Sequence, residues 1–498
     1  MTNEYDVLVV GSGAGALTAA VLAARAGLRT AVLEKSALLG GTSAYSGAAC
    51  WLPGSQVQQR AGVADSTESA RTYLTSLLGD HEAERREAFL ATAPRVVAAL
   101  EEDPALRFEW RPFPDYFDRP GRVPRGRSFV PCDLPRDEIG RLADLVRPSV
   151  DRDRAGLGHP DGPLTQGRAL VGRLLLALHR TGLADVVTGA DVDTLVRAGG
   201  RVGGVEAVVG GERRRYAARL GVVLGSGGFE RNAAARARHG VPGAADWTMA
   251  PAGTNTGAAI DAAVRLGAAT GLLDEAWWCP GVAMPDGSAS FTLGLRGGVV
   301  VDGRGRRYAN ESLPYDQFGR QMAADPARVP SYLVFDARSD ARLPAISLPG
   351  GTAEEHLAAG TWVRADSLRE LADRLEVPAD DLLATVARFN ALVAAGEDVD
   401  FGRGRDEYDR YFADPALLPV ERPPFTAARL VLSDLGTKGG LLTDTEGRVL
   451  DEEGRPLAGL YAVGNASASL TGRVYPGPGA PIGTAMAFAM RAVEDLAP

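Results

Sequence analysis

The sequence predicts an α/β protein: a doubly wound, mostly parallel sheet interrupted by an inserted α+β domain. Three observations carry this reading. Residues 5–10 are an apolar run that passes through a glycine-rich turn into an alanine-rich, helix-like segment and then a second apolar run, the order of a βαβ unit. Two later apolar runs, 220–224 and 459–463, end in the glycine turns Gly225-Ser226-Gly227-Gly228 and Gly464-Asn465. Between them, 277–435 loses this regularity. The doubly wound domain is therefore assigned to 1–276 and 437–498, and the inserted domain to 277–436.

Taken in order, 5–10 reads as a strand, 16–28 as a helix and Thr30–Glu34 as a second strand. A polar, Pro- and Arg-rich stretch covers 111–127, and helical periodicity appears around 173–181. Residues 192–216 read as hairpins turning at Gly199-Gly200 and Gly210-Gly211. The insert offers a strand at 333–335 and helices at 367–375 and Ala379–Ala395; residues 481–496 close the chain as a helix. No internal repeat interrupts this order.

The 498 residues are 45% hydrophobic and 23% charged, long enough for two cores and a large cofactor. Net charge is 54 − 63 = −9, without a Lys/Arg block, which argues against nucleic acid as a partner. No apolar stretch approaches the roughly 20 residues of a transmembrane segment. Met1 to Asp6 lacks the charged and apolar regions of an export signal, so the expectation is a cytoplasmic protein, with loose membrane association open to one that handles an apolar ligand. Cys50, Cys132 and Cys279 are far apart and the five histidines are scattered, so no metal site is expected.

Gly11, Gly13 and Ala16 form G-x-G-x-x-A, together with Ser12, Ala14 and Gly15, where the first strand meets the helix. There glycines allow backbone to approach a pyrophosphate, and the helix N-terminus offers free N–H groups. Glu34 ends the second strand, 23 residues after Gly11, where a carboxylate accepts from ribose hydroxyls. Gly40-Gly41-Thr42-Ser43, then Ser46-Gly47, resembles the loop that lies along FAD in flavoproteins related to fumarate reductase. Gly227-Gly228 and Gly464-Asn465 resemble later cofactor contacts of that superfamily, though each alone also suits a structural turn. Their order favours FAD over NAD.

The most unusual string is Tyr475-Pro476-Gly477-Pro478-Gly479, followed by Ala480-Pro481-Ile482. Two prolines fix φ, the glycines leave N–H groups approachable, and a helix N-terminus follows. A tyrosine beside bare amides suits a carbonyl oxygen that gains negative charge as its ketone enolises. A proline-stiffened helix entry is the plain alternative. Of the two lysines, Lys35 and Lys438, the second is expected on a solvated surface.

From end to end the chain resembles the 3-ketosteroid Δ1-dehydrogenases. The resemblance runs through residues 10–18, 40–47, Asn310-Glu311-Ser312-Leu313-Pro314-Tyr315-Asp316, Gly436-Thr437-Lys438-Gly439-Gly440 and the tail from Gly464 through the YPGPG string. It implies a Rossmann-like FAD-binding domain with an inserted α+β catalytic domain, and FAD held non-covalently by residues that also include Lys35, Pro481 and Ile482. The partners it implies are a 3-ketosteroid and an external electron acceptor of unidentified nature. Tyr475 and the N–H of Gly479 would bind the 3-keto oxygen, Tyr315 would take a proton from carbon 2 with Tyr116 hydrogen-bonded to it, and flavin N5 would accept the hydrogen of carbon 1. A free tyrosine, with pKa about 10, is protonated at neutral pH, so such a base needs a lowered pKa or a proton relay. Taken without the resemblance, Tyr116, between Phe113 and Phe117, suits packing better than catalysis. Three other functions stay open: a dehydrogenase of a smaller cyclic ketone, a fumarate-reductase-like alkene reductase, and a flavin-binding redox sensor.

Overall fold

The computed structural model describes residues 4–340, 342–345 and 350–497, which separate into two compact units. The first comprises the chain as far as His239, Ala250–Ala276 and the chain from Gly436 on; the second comprises Gly240–Met249 and Trp277–Leu435. Residues 240–249, which precede the expected insert, thus fold with the second unit.

The first unit is built on β1 (Glu4–Val10), whose Val7, Leu8 and Val9 are fully buried, as a strand covered on both faces requires. Helix α1 (Ala14–Arg25) follows, then β2 (Thr30–Glu34), α2 (Thr67–Leu78) and α3 (Gln166–Thr181). Five strands come next: β3 (Ala184–Thr188), β4 (Ala190–Ala198), β5 (Arg201–Val209), β6 (Glu212–Leu224) and, late in the chain, β7 (Arg448–Leu450). β8 (Pro456–Ala462) and α4 (Ala480–Leu496) complete it. The sheet order is β7-β8-β6-β1-β2-β3, with β5 hydrogen-bonded to β6 and β4 to β5. β3, β2, β1, β6 and β8 run parallel to one another in that order, in the registers Leu33↔Val187, Val10↔Leu33, Val10↔Leu224 and Ala462↔Leu224, whereas β7 is antiparallel to β8 and β5 to β6. That register brings the carboxyl ends of β1, β2, β6 and β8 level, where an open α/β sheet takes its ligand.

The second unit is α+β. The strand order is Ala289–Phe291, Ala276–Ala283, Phe425–Thr437, Ser331–Phe335, Val299–Val301, with Trp362–Ala365 also on Phe425–Thr437. Helices Leu368–Leu375 and Ala379–Ala395 bury Leu371, Leu375, Leu382, Val386 and Phe389 in a core with Val299, Val301 and Val334. Among the described residues no helix is long and apolar enough to cross a membrane.

A charged knot lies inside this unit. Glu311, its side chain fully buried, pairs with Arg307 at 2.8 Å and Arg403 at 3.1 Å, and Arg307 also reaches Asp398 at 2.7 Å. Burial pushes the Glu311 carboxyl up, but the Arg307 and Arg403 charges more than offset it and hold it below its ordinary value of 4.5. A carboxylate lowered on folding contributes stability above that ordinary value and loses it as pH falls through the folded pKa. Glu311→Gln should cost about 3–5 kcal/mol at pH 7, because buried guanidinium groups lose their carboxylate. Its denaturation midpoints should also fall less steeply than the wild type's below pH 4.5; an unchanged acid slope would remove Glu311 from that role.

Candidate active site

Four strand ends in the first unit interlock through short backbone bonds. Gly11 N donates to Leu33 O at 2.8 Å, Gly225 N to Val10 O at 2.8 Å and Val463 N to Leu224 O at 2.9 Å. Gly11 has φ +97°, and a Cβ there would overlap the Gly225 carbonyl, so only glycine fits. At Gly15 a Cβ would sit 2.9 Å from that of Ala485, and at Gly225 one would sit 2.7 Å from that of Ala16, which sets how closely α1 meets α4 and β6.

Above this floor, the Ser43 hydroxyl accepts from Ala14 N at 3.0 Å, beside the Gly13 start of α1. Ser12 Oγ donates to Glu34 Oε2 at 2.6 Å and accepts from Gly40 N at 2.8 Å, while Ser36 N donates to Glu34 Oε1 at 2.8 Å. Glu34 is thus fixed at the end of β2 with lone pairs to spare. Thr42 Oγ1 is closed off from solvent and has no hydrogen-bond partner among the described residues. Ser46 Oγ donates to Ser43 O, and Gly47 is exposed with open space at its Cα. The turn at Gly227-Gly228 packs on Asn255 and Thr437, and Gly464-Asn465 places the Asn465 amide on Gly436. Pro481 and Ile482 are half-buried in the first turn of α4. Open glycine amides, an orphaned threonine hydroxyl and a fixed carboxylate suit an FAD with its pyrophosphate on α1. Lys35, which follows Glu34, pairs through its Nζ with Asp191 at 3.0 Å.

In the same unit the YPGPG string and the two residues before it are held by their carbonyls. Lys438 Nζ donates to Arg473 O at 2.9 Å, Thr471 Oγ1 to Val474 O at 2.7 Å and Ser128 Oγ to Pro478 O at 2.5 Å. Pro476 O accepts from Tyr73 Oη at 2.7 Å and from Tyr116 N at 3.1 Å; Gly479 O accepts from Trp51 N at 3.2 Å. The Gly479 N–H, by contrast, donates to no acceptor among the described residues, and Gly479 opens α4 with φ +85°. The buried Tyr475 and Tyr116 rings meet edge to face, 5.3 Å between centroids. Behind them Asp115 accepts from Trp51 Nε1 at 2.9 Å and Arg127 Nε at 3.0 Å, and Arg127 also pairs with Asp65 at 2.8 Å.

Within the second unit Tyr315 is the first residue of helix Tyr315–Ala323, 7% exposed and edge-on to Phe291 at 5.0 Å. Pro314 precedes it, Asn310 Oδ1 accepts from Ser312 N at 2.8 Å, and Asp316 pairs with Arg320 at 3.1 Å. The string 310–316 is therefore a braced helix entry, tied through Glu311 to the charged knot.

Lys438 corrects the expectation of a solvated surface: it is 1% exposed, and an ammonium on a short loop is tolerated there because carbonyl oxygen receives it. Sequence reasoning missed Glu230, which accepts from Asn255 Nδ2 at 2.6 Å and Thr437 N at 3.3 Å and so ties the segment after the Gly227-Gly228 turn to those two loops. A carboxylate two residues after a glycine turn at a strand end was the available signal. It also missed Tyr73, Asp115, Arg127 and Ser128, whose partners lie far away in sequence and leave no local pattern.

The family described as FAD binding domain matches residues 6–482. The 3-oxosteroid 1-dehydrogenase of Rhodococcus opacus is 42% identical, the match covering 100% of this chain and 99% of that one. The 4-oxocyclohexanecarboxylate 2-dehydrogenase of Sinomonas cyclohexanicum is 36% identical over 99% of this chain and 93% of its own. Among solved structures, the 3-ketosteroid Δ1-dehydrogenase of Sterolibacterium denitrificans, in complex with 1,4-androstadiene-3,17-dione, superposes with a TM-score of 0.91 at 33% identity, covering all of both chains.

The cradle depends on the absence of a side chain at Gly11. Gly11→Ala should purify with its flavin absorbance per protein reduced at least tenfold; a full yellow complement would show that the β1 turn does not set cofactor affinity.

Proposed function

The chain belongs to the 3-oxosteroid 1-dehydrogenase family of FAD-dependent oxidoreductases acting on CH–CH groups, and we propose that its Tyr475, Gly479, Tyr315 and Tyr116 carry the 1,2-desaturation of a 3-ketosteroid. The observation that supports this most is the inverted polarity of the YPGPG string. Its carbonyls at 476, 478 and 479, and those at 473 and 474 just before it, are held by protein donors, whereas the Gly479 N–H is left for an acceptor from outside the chain. A ketone oxygen is such an acceptor, and Tyr475 beside it supplies a second donor.

Hydrogen bonds that strengthen as the 3-keto oxygen gains charge lower the barrier to enolisation, which acidifies the hydrogens on carbon 2. Tyr315 takes the carbon-2 proton at its phenolic oxygen as its own proton passes on through Tyr116 towards solvent, so the phenol gains no net proton. Bound FAD, held non-covalently, supplies the two-electron acceptor for the hydrogen that leaves carbon 1 as a hydride, so a double bond forms between carbons 1 and 2. The second unit is assigned to catalysis because it carries Tyr315. An external acceptor closes the cycle by taking the two electrons away. We place the enzyme in the cytoplasm, where an apolar substrate leaves loose association with a membrane surface open to it.

The same chemistry serves a smaller ring ketone, and the likeness to the Sinomonas enzyme makes that the second reading. Anaerobic mixing with a 3-keto-4-ene steroid should bleach the flavin while a 1,4-diene product appears, and 4-oxocyclohexanecarboxylate should bleach it at least a hundredfold more slowly. Tyr315→Phe should retain flavin yet slow the steroid reaction by at least a thousandfold, and Tyr475→Phe by at least tenfold. Bleaching by the small ketone alone would move the enzyme to the second reading, and unchanged rates in both variants would remove these tyrosines from the chemistry.

A further inference from the structure

Two loops of the first unit carry tyrosines, and one hydroxyl joins them. Tyr73, on α2, is fully buried. Its Oη accepts from Phe117 N at 3.0 Å and donates to Pro476 O at 2.7 Å. Phe117 follows Tyr116 in the chain, and Pro476 follows Tyr475. Tyr116 N bonds the same Pro476 carbonyl at 3.1 Å, so the two loops form a closed ring of three hydrogen bonds around the Tyr73 oxygen and that carbonyl.

The ring is backed by rigid contacts on every side. Asp115 is locked by Trp51 Nε1, Arg127 and Val123 N. A Cβ at Gly477 would lie 2.6 Å from Trp51 Nε1, so the string lies flat on the tryptophan. At Gly121 a Cβ would overlap the backbone of Ser69, which presses the loop after Tyr116 onto α2. Burial, and after it the Asp115 charge, push the Tyr73 phenol far above its ordinary range, so it keeps the proton that Pro476 O receives.

We infer that Tyr73 is a positioning residue for the desaturation: its hydroxyl fixes the spacing of the Tyr116 and Tyr475 loops, and hence the 5.3 Å pairing of their rings. This rests on the reading that those tyrosines serve the substrate ketone and its proton transfer. A side chain that never meets the substrate thereby sets the geometry in which two others do, and small displacements of such groups cost rate more than binding.

Tyr73→Phe keeps the ring and its packing against Trp51 and removes only the oxygen. In the FAD-loaded enzyme the expected result is a 10- to 100-fold fall in kcat with KM for a 3-keto-4-ene steroid changed less than threefold, at unchanged flavin content. Because Tyr73 acts through Tyr116 and Tyr475, it should lose most of its effect where those hydroxyls are already absent: Y73F added to Y116F/Y475F should slow the enzyme less than threefold further. A kcat within twofold of wild type overturns the inference, as does a loss that follows flavin content or melting temperature, or one that multiplies in full on the Y116F/Y475F background. If Y116F and Y475F are themselves as fast as wild type, the reading of the tyrosines fails, and a slow Y73F would then mark an effect independent of them.

Discussion

The rest of the first unit depends on how closely four strand ends can approach one another. Gly11 N reaches Leu33 O, Gly225 N reaches Val10 O and Val463 N reaches Leu224 O, all at 2.8–2.9 Å, so the turns after β1, β6 and β8 emerge as neighbours. Any side chain at Gly11 would wedge the first two apart. Once the turns are together, loops from distant parts of the sequence, 40–47, 227–228 and 464–465, meet beside the β1 turn, tied there by Gly40 N to Ser12 Oγ, Gly225 N to Val10 O and Val463 N to Leu224 O. Affinity for a dinucleotide is thus a property of backbone spacing before it is a property of any side chain.

Much of this was legible in the sequence because it is local. Thr30–Glu34 and Ala379–Ala395 have the bounds that their periodicity predicts, and the Gly199-Gly200 and Gly210-Gly211 turns separate β4, β5 and β6. Helix α1 starts at Ala14, two residues before the apolar pattern begins, since the Ser43 hydroxyl and the glycine turn supply partners that periodicity does not register. The helix around 173–181 begins at Gln166, because Gly167 must pass against the Ser43 and Ser46 carbonyls and breaks the apparent pattern there. What could not be read was long-range pairing. Lys438 looks like any surface lysine until the Arg473 carbonyl is placed beside it, and Arg127 sits in a stretch whose proline and arginine content suggests an open loop.

Buried charge serves two ends in this chain. The Asp65–Arg127–Asp115 group and the Glu311–Arg307–Arg403–Asp398 group each lie immediately before or after a segment bearing a tyrosine of the candidate site. Such groups add little net stability against an apolar filling, but a charged group has few geometries in which all its partners are met. They therefore suit segments whose exact placement matters more than their adhesion, and the loop before Tyr116 and the helix entry at Tyr315 are such segments.

The second unit draws on two separate stretches of chain. Met249 N bonds Asp434 O at 2.9 Å, Thr248 Oγ1 donates to Asp434 Oδ1 at 2.6 Å, and Ser433 Oγ donates to Trp247 O at 2.5 Å, so the short segment 240–249 is stitched to the last strand of the unit. For anyone recombining relatives, this sets the crossover points. A graft of 277–435 alone would import Ser433 and Asp434 while keeping the host's counterpart of Trp247–Met249, and parents that differ there would yield mismatched chimeras; four junctions, rather than two, make the unit a transferable module.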